Sequence, residues 1–568
     1  MSELQHDSGM NLEVERPLLD GRLACVILSS LVFCWASHYM VNGDIWWHLR
    51  TGQLIPYDGV PDLDWYTFSS SDSKWIDLHW LFQLLVGWVY SAGDTEGLVL
   101  LKAVLSGITV LLLFLPFRST IPSSLMILLG WPFVSLFASR LLVRPEMLSF
   151  LYLVLTLLVI HKSRQRIQWL YTLPAIQLLW VNSQGLFVLQ YVVMMAFAIQ
   201  VCWSHCICKN PIYDSNHWAR HFLSAGILTG IATLLNPYGI EGALFPLELM
   251  EKMGGDHKTF YLEYAGEIRG LGDLFASNSI DRVLAIPAVL HLLFVCLLAL
   301  GSLFLLGNQQ SNRIYHVCLF MAFGYLGWNM SRNDPLVALV FCYIVFSRVS
   351  TDASISKLLS STNRQSVLRF LAPSSAVLVT FLIYGIVSGS YHKDDQAPFE
   401  KIPWYGESII YPHEAAKFVS TLVHVDEIYA DHELLAALCI YHMRPDQYVF
   451  ADARLEVNTK ESLTNLREIR RLLNRDVSAG IALLETHGTG TKSLVFMNHT
   501  FFNPQLPSLL SNLAQSPDWI CVYSDSYSED PGPSRFITGA TVFVPRSVFT
   551  EAQLPRVSLD PLLVRLQN

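Results

Sequence analysis

Apolar residues in this chain come in long unbroken runs, beginning with "LACVILSSLVFCWASHYMV", and not at the spacing of a half-buried helix or strand. A bilayer-crossing helix needs about 20 such residues. The runs predict membrane spans at 23–42, 97–116, 123–139, 145–161, 168–182, 186–203, 219–235, 284–306, 314–330, 335–347 and 367–389. One further run, "HWLFQLLVGWVYSAG" (79–93), is short and carries a Gln and a Gly. It reads as an interfacial helix inside a first external loop running over 43–96. Beyond residue 390 the pattern changes to short strands alternating with helices: "EIYAD", "HELLAALCIYH", "QYVFAD", "KESLTNLREIRRLLNR", "SLVFMN", "LPSLLSNLAQ", "WICVYSD" and "ATVFVPR". Such alternation predicts an α/β domain with a largely parallel sheet.

The expected organisation is a polytopic α-helical membrane protein of about eleven spans with a C-terminal extracytoplasmic α/β domain. Its parts are an N-terminal tail (1–22), a multi-span domain (23–390), a linker (391–412) and the α/β domain (413–568). Lys and Arg in short loops mark the cytoplasmic side. "HKSRQRIQ" (161–168), "NQQSNR" (308–313) and the 347–365 connection share one side with Arg16 and Arg22, which puts the N-terminus in the cytoplasm. The first loop, residues 140–144, "NSQG", "NPYG" and "SRNDP" then fall outside, with the C-terminal domain.

Composition supports this class: 52% of residues are hydrophobic and only 15% charged, against about 25% charged in soluble domains. A net charge of -9 with no basic stripe excludes nucleic acid as a partner. The N-terminus lacks a basic region and a small-residue cleavage site, so the first run is expected to be a retained helix and not a cleaved signal. Cys439 and Cys521 alone lie in the C-terminal domain, where an extracytoplasmic setting would allow a disulfide. "THGTGTKS" lacks the strand-loop-helix setting of a phosphate-binding loop.

This threading gathers polar residues at the outer ends of the spans. Asp44, Trp47, His48, Asp64, Trp75, Asp77 and His79 occupy the first loop; Arg144 and Glu146 precede one span; Asn182, Gln184 and Asn236 close others; Arg332, Asn333 and Asp334 open another. Ionisable groups at membrane depth mark sites by default. Each also has a plain structural reading: Trp46 and Trp47 as interfacial-belt aromatics, the arginines as snorkelling anchors, "NPYG" as a turn. Taken together, arginine forks suit phosphate, aromatic faces suit sugar rings, and a carboxylate can take a proton from an attacking hydroxyl. Asp452, Arg454 and Glu456 in "FADARLEV" end a strand, where an α/β sheet binds ligands or where a salt-bridged turn would sit.

The first-loop motif "GDIWWHLRTGQLI…GVPDLDWYTFSS…WIDLHWLFQ", with "VRPEM", "LWVNSQG", "NPYG", "SRNDPL" and "FADARLEV", resembles the GT-C superfamily of integral-membrane glycosyltransferases. Within it, the chain is similar to an uncharacterised bacterial multi-span group related to protein O-mannosyltransferases and aminoarabinose transferases. The resemblance implies transfer of a sugar from a polyprenyl-phosphate donor to a glycan, lipid or protein acceptor outside a bacterial inner membrane. It implies Asp44 as the catalytic carboxylate, Arg144 and Arg332 as a lipid-phosphate clamp, and His48, Asp77 and His79 on the acceptor side. The chain departs from the family where two adjacent carboxylates are common, because Ile45 follows Asp44, and no acidic pair stands in a later external loop. A divalent metal is therefore unsupported, and no cofactor is expected with certainty. The competing readings are a transporter or flippase for a lipid-linked or anionic solute, and a non-catalytic scaffold of the same fold.

Overall fold

The computed structural model describes residues 21–206, 215–252, 269–306, 312–352, 364–388, 411–498, 503–525 and 539–563, short of a few single positions within them. The expected linker, 391–412, falls outside them up to residue 410.

The apolar runs form helices where the hydropathy pattern places them. They are α1 (Arg22–Ala36), α2 (Ile45–Asp58), α3 (Trp80–Phe114), α4 (Ser123–Ala138), α5 (Glu146–Ser163), α6 (Leu173–Val181), α7 (Val188–Cys206), α8 (Ser215–Leu234) and α9 (Ile240–Lys252). After two short helices, α10 (Leu271–Ser277) and α11 (Ile280–Leu284), come α12 (Pro287–Leu305), α13 (Arg313–Asn329), α14 (Asp334–Thr351) and α15 (Arg364–Val387). Proline stands in the first turn of α6, α12 and α14, where its missing N–H costs nothing. Among the described residues six helical stretches are long and apolar enough to cross a bilayer: 80–117, 146–163, 185–205, 287–305, 331–351 and 369–387. The chain is an integral membrane protein, and eleven crossings stands as the sequence expectation.

Three local features shape the bundle and the first loop. Residues 80–114 are one helix interrupted at Gly93 and Asp94, where φ is -151° and +52°. The break separates the short segment that the sequence assigns to the interface from the span that follows. Helix α14 is apolar all round and buried from Pro335 to Val349, as expected of a helix at the centre of a bundle. It packs against α4, α5, α12 and α13. In the first loop, α2 crosses the start of α3 closely: a Cβ on Gly52 would meet the Gln83 carbonyl oxygen at 2.2 Å.

The C-terminal domain holds strands β1 (Glu427–Ala430), β2 (Tyr448–Val449), β3 (Lys492–Met497), β4 (Trp519–Ser524) and β5 (Ala540–Pro545) in the order β2-β1-β3-β5-β4. The pairs β1·β2 and β1·β3 are parallel, whereas β3·β5 and β4·β5 are antiparallel. The expectation of a largely parallel sheet is thus corrected to a mixed one. The last strand inserts between β3 and β4 instead of adding to an edge by a helical crossover. Helices α16 (His413–Thr421) and α17 (Glu433–His442) cover one face of this sheet. That face shares a continuous apolar core with the membrane domain, and α17 packs on α2. Helices α18 (Lys460–Leu473), α19 (Val477–Glu485) and α20 (Leu506–Gln515) contribute to a second core on the other face. Cys439 and Cys521 are both free and buried, so the disulfide that the sequence would allow does not form.

The first loop also reaches the sheet. Thr67 bridges Val449 in parallel fashion, the Val449 N–H donates to the Tyr66 carbonyl (2.8 Å), and Phe68 donates back to Val449 (3.0 Å). The edge of β2 is therefore covered by the loop.

Candidate functional site

Asp44 precedes the first turn of α2, where an aspartate ordinarily caps the helix. It makes no side-chain cap bond. Its carboxylate turns to Arg144, with Nη2 2.8 Å from Oδ2. Asn42 completes the hold on this guanidinium, accepting from Arg144 Nε at 2.9 Å while its own amide donates to the Val143 carbonyl at 3.3 Å. The sequence reading missed Asn42, whose only signal is its place two residues before Asp44. Pro145 then opens α5, so Glu146 sits in the first turn and pairs with Arg332 from the 3-10 turn 331–333. Arg140 bears electrostatically on both Glu146 and Asp334, and the Asp334 Oδ1 atom is buried without a hydrogen-bond partner. Three carboxylates and three arginines from three separate segments thus form one alternating row. Asp44 and Arg144 keep 28% and 19% of their side-chain surface, so the row is open to a ligand at that end. Neither Arg144 nor Arg332 is a snorkelling anchor.

Beside the row stand two histidines. Asp77 is fully buried and faces His79, with Oδ1 3.5 Å from Nδ1 and 3.0 Å from the His79 backbone N–H. Tyr238, the tyrosine of "NPYG", fixes this stretch: its hydroxyl accepts from the Asp77 N–H at 2.9 Å and donates to the Pro61 carbonyl at 2.5 Å. His48 lies across from His79, ring centroids 5.6 Å apart, with the Gln83 amide 3.4 Å from its Nδ1. Burial alone would lower the His79 pKa, but the Asp77 carboxylate and the fields of Glu456 and Glu146 carry it above its ordinary value. Burial pushes His48 well below its ordinary value, helped by His79, Arg144 and Arg454.

These opposite shifts fix a pH dependence. The raised His79 stabilises the fold fully below 6.5, the unfolded value, and this contribution is lost as pH rises through its folded pKa. The lowered His48 contributes fully above 6.5 and loses its contribution as pH falls toward its folded value. In the thermal midpoint, measured from about pH 5 to pH 8, the combined contribution of these two histidines is greatest near 6.5. Asp77→Asn should remove the alkaline limb and leave the acid one.

Other expected site residues serve the joint between the domains. Arg454 is fully buried, and its Nη2 lies 2.7 Å from both Asp64 Oδ1 and Asp452 Oδ2. The guanidinium stacks at 4.4 Å from the Trp75 ring centroid, 4.9 Å from Tyr66 and 5.8 Å from Trp47. Asp64, Trp47 and Trp75 therefore grip the "FADARLEV" turn of the C-terminal domain, and the salt-bridged reading of that turn holds. Lys252 secures its far end, donating to the carbonyls of Leu455 (2.6 Å) and Asn458 (2.9 Å). Trp46 is fully buried against Tyr411, His413 and Tyr441, and Trp47 is 5% exposed. These aromatics seat the α/β domain and are not a membrane belt.

The amides close helix ends. Asn182 accepts from Trp80 Nε1 (2.9 Å) and donates to the carbonyls of Leu178 and Leu235 (2.8 and 3.0 Å). Asn236 donates to Thr233 and Gly239 and accepts from the Tyr238 N–H, which builds the turn. Gln184 accepts from the Leu186 N–H and from Ser149, and Asn333 donates to the Leu326 carbonyl at 3.1 Å. These four hold backbone. Asn182 and Asn236 also line an open groove of about 480 Å³ walled by Trp80, Leu178, Leu179 and Leu235. That groove is apolar and holds none of the acid–arginine row.

The acidic groups do not suit a divalent cation. Asp44 faces Arg144, Glu146 faces Arg332 and Asp77 faces His79. Among the described residues no three His, Cys, Asp or Glu side chains converge.

No protein-family description matches the chain, and no curated protein matches it in sequence. Solved structures do match in fold. The archaeal oligosaccharyltransferase AglB from Archaeoglobus fulgidus, in complex with an inhibitory peptide and a dolichol-phosphate, superposes with a TM-score of 0.54 at 11% identity, covering 93% of this chain and 76% of that one. The apo form of the Archaeoglobus fulgidus oligosaccharyltransferase gives 0.55 at 11% identity, covering 93% and 77%. Its complex with zinc and sulfate gives 0.55 at 12%, covering 93% and 75%. The chain is an integral membrane protein whose fold is that of the archaeal oligosaccharyltransferase structures.

Proposed function

We propose that the chain is a membrane glycosyltransferase that moves a sugar from a polyprenyl-phosphate donor to a peptide acceptor on the extracytoplasmic side. The observation that carries this reading is the row in which Asp44 meets Arg144 and Glu146 meets Arg332 at the helix ends of a transferase fold. The solved neighbours bind a dolichol-phosphate and an inhibitory peptide, ligands of the same two classes.

The chemistry follows from the groups present. Arg144 and Arg332 hold the donor phosphate, which is where negative charge grows as the sugar C1–O bond breaks. The electron pair of that bond leaves on the phosphate, and a new bond forms between C1 and the acceptor heteroatom. Asp44 accepts a hydrogen bond from the acceptor and takes its proton. His79, aimed by Asp77, relays that proton to water. The apolar groove beginning at Trp80, the residue after His79, takes the isoprenoid tail.

The test uses the full chain in vesicles containing a radiolabelled polyprenyl-phosphate sugar and a library of peptide, lipid and glycan acceptors. Label should pass to peptide, and Arg144→Gln combined with Arg332→Gln should weaken donor retention by about 10² to 10⁴-fold, at about 1.5–3 kcal/mol for each of the two lost charged bonds. Transfer that is undiminished in the double variant would discard the site, and label on lipid or glycan alone would discard the peptide assignment.

A further inference from the structure

The bundle ends away from Asp44 in a second polar cavity, enclosed and small, about 30 Å³. His161 and Arg164 at the end of α5, His316 on α13, and Ser347, Arg348 and Thr351 at the end of α14 line it. Helices α5 and α14 are the two that carry Glu146 and Asp334 at their other ends. From Glu146 to His161 is roughly 22 Å of helix at about 1.5 Å per residue, so the two sites lie on opposite faces of the membrane domain.

The lining has donors of every kind and, among the described residues, no carboxylate. Asp352 is the acid whose field reaches Arg348, and Arg313 opposes it with a further positive charge. Both lining guanidiniums are held in place. Arg164 stacks 5.8 Å from the Phe197 centroid and 5.5 Å from that of Tyr315, and Arg348 donates to the Leu306 carbonyl. His316 is 2% exposed, yet neither ring nitrogen has a hydrogen-bond partner; the same holds for His161 Nδ1 and Ser347 Oγ. Buried polar atoms are nearly always satisfied, so orphans converging from three helices call for a ligand. Two fixed guanidiniums, two imidazoles and a hydroxyl select an anion, and the fork geometry of arginine selects an oxyanion. A hollow of this size admits about two waters, which excludes a sugar or nucleotide but admits the head of a tetrahedral group.

We propose that this cavity binds a phosphate group, presented either by an anionic lipid headgroup or as free phosphate, on the face expected to be cytoplasmic. The site is separate from the acid–arginine row and does not depend on transferase activity.

Two arms test it on the full chain in nanodiscs. In one, inorganic phosphate is titrated by calorimetry in phosphatidylcholine discs. In the other, the thermal midpoint is compared between discs with and without phosphatidic acid. Binding in the first arm assigns free phosphate, and stabilisation in the second alone assigns the headgroup. In either case Arg348→Gln should weaken the response roughly tenfold and Ser347→Ala several-fold. No response in both arms, or a response equal in wild type, Arg348→Gln and Ser347→Ala, overturns the proposal. The Ser347→Ala arm retains the test where Arg348→Gln fails to fold.

Discussion

Replacing Arg454 with glutamine is expected to destabilise the protein by about 3–5 kcal/mol, the usual cost of leaving a buried charge without its partner. The size follows from what remains behind. Asp64 and Asp452 are both fully buried, and each stands 2.7 Å from the same guanidinium. Removing it strands two carboxylates close together in an apolar pocket built by Trp75, Tyr66 and Trp47. The loss should appear as a lower midpoint in thermal unfolding followed by tryptophan fluorescence, because two of those walls are indoles. A control separates charge from shape: changing Asp64, Arg454 and Asp452 together to leucine, methionine and leucine should recover most of the stability. If the single variant unfolds like wild type, the buried triad is not what joins the domains.

Asp44→Asn should cut the turnover of glycan transfer on the order of 10² to 10³-fold while the protein stays folded. Asparagine keeps the shape and the hydrogen bond to Arg144 but cannot take a proton, so the defect should fall on kcat and leave donor binding close to wild type. Asp44 is partly exposed and its side chain does not cap α2, so little stability rests on its charge. Arg144→Gln should behave in the opposite way, with KM for the donor rising first. The measurement is initial-rate kinetics in reconstituted vesicles, and a kcat within threefold of wild type in Asp44→Asn would remove its assigned role.

The membrane helices were legible because each is announced by its own run of apolar residues, and the Gly93–Asp94 break matches the shortness of the run before it. The strands of the C-terminal domain were legible for the same local reason. What local pattern could not carry is pairing between distant segments. The place of β5 between β3 and β4 is decided by tertiary packing. The partner of Asp64 lies 390 residues away, and nothing near Asp64 in the chain announces it. The acid–arginine row was found from charges that membranes tolerate only for a reason, and Asp44 and Arg144 do meet. At Asn182, Gln184 and Asn236 the same polar residues also satisfy backbone groups at helix ends. The sequence reading allowed both uses of polar residues at span termini, and only the distances tell them apart.

The short bridge from Thr67 to Val449 bears on how this protein can be handled and on how it could have evolved. A recombinant fragment beginning at residue 413 would bare a raw strand edge and the seat of Trp46, and would clump in solution. The C-terminal domain is thus a dependent lobe, unsuited to shuffling between genes as a stand-alone cassette, and it and the first loop must change in step.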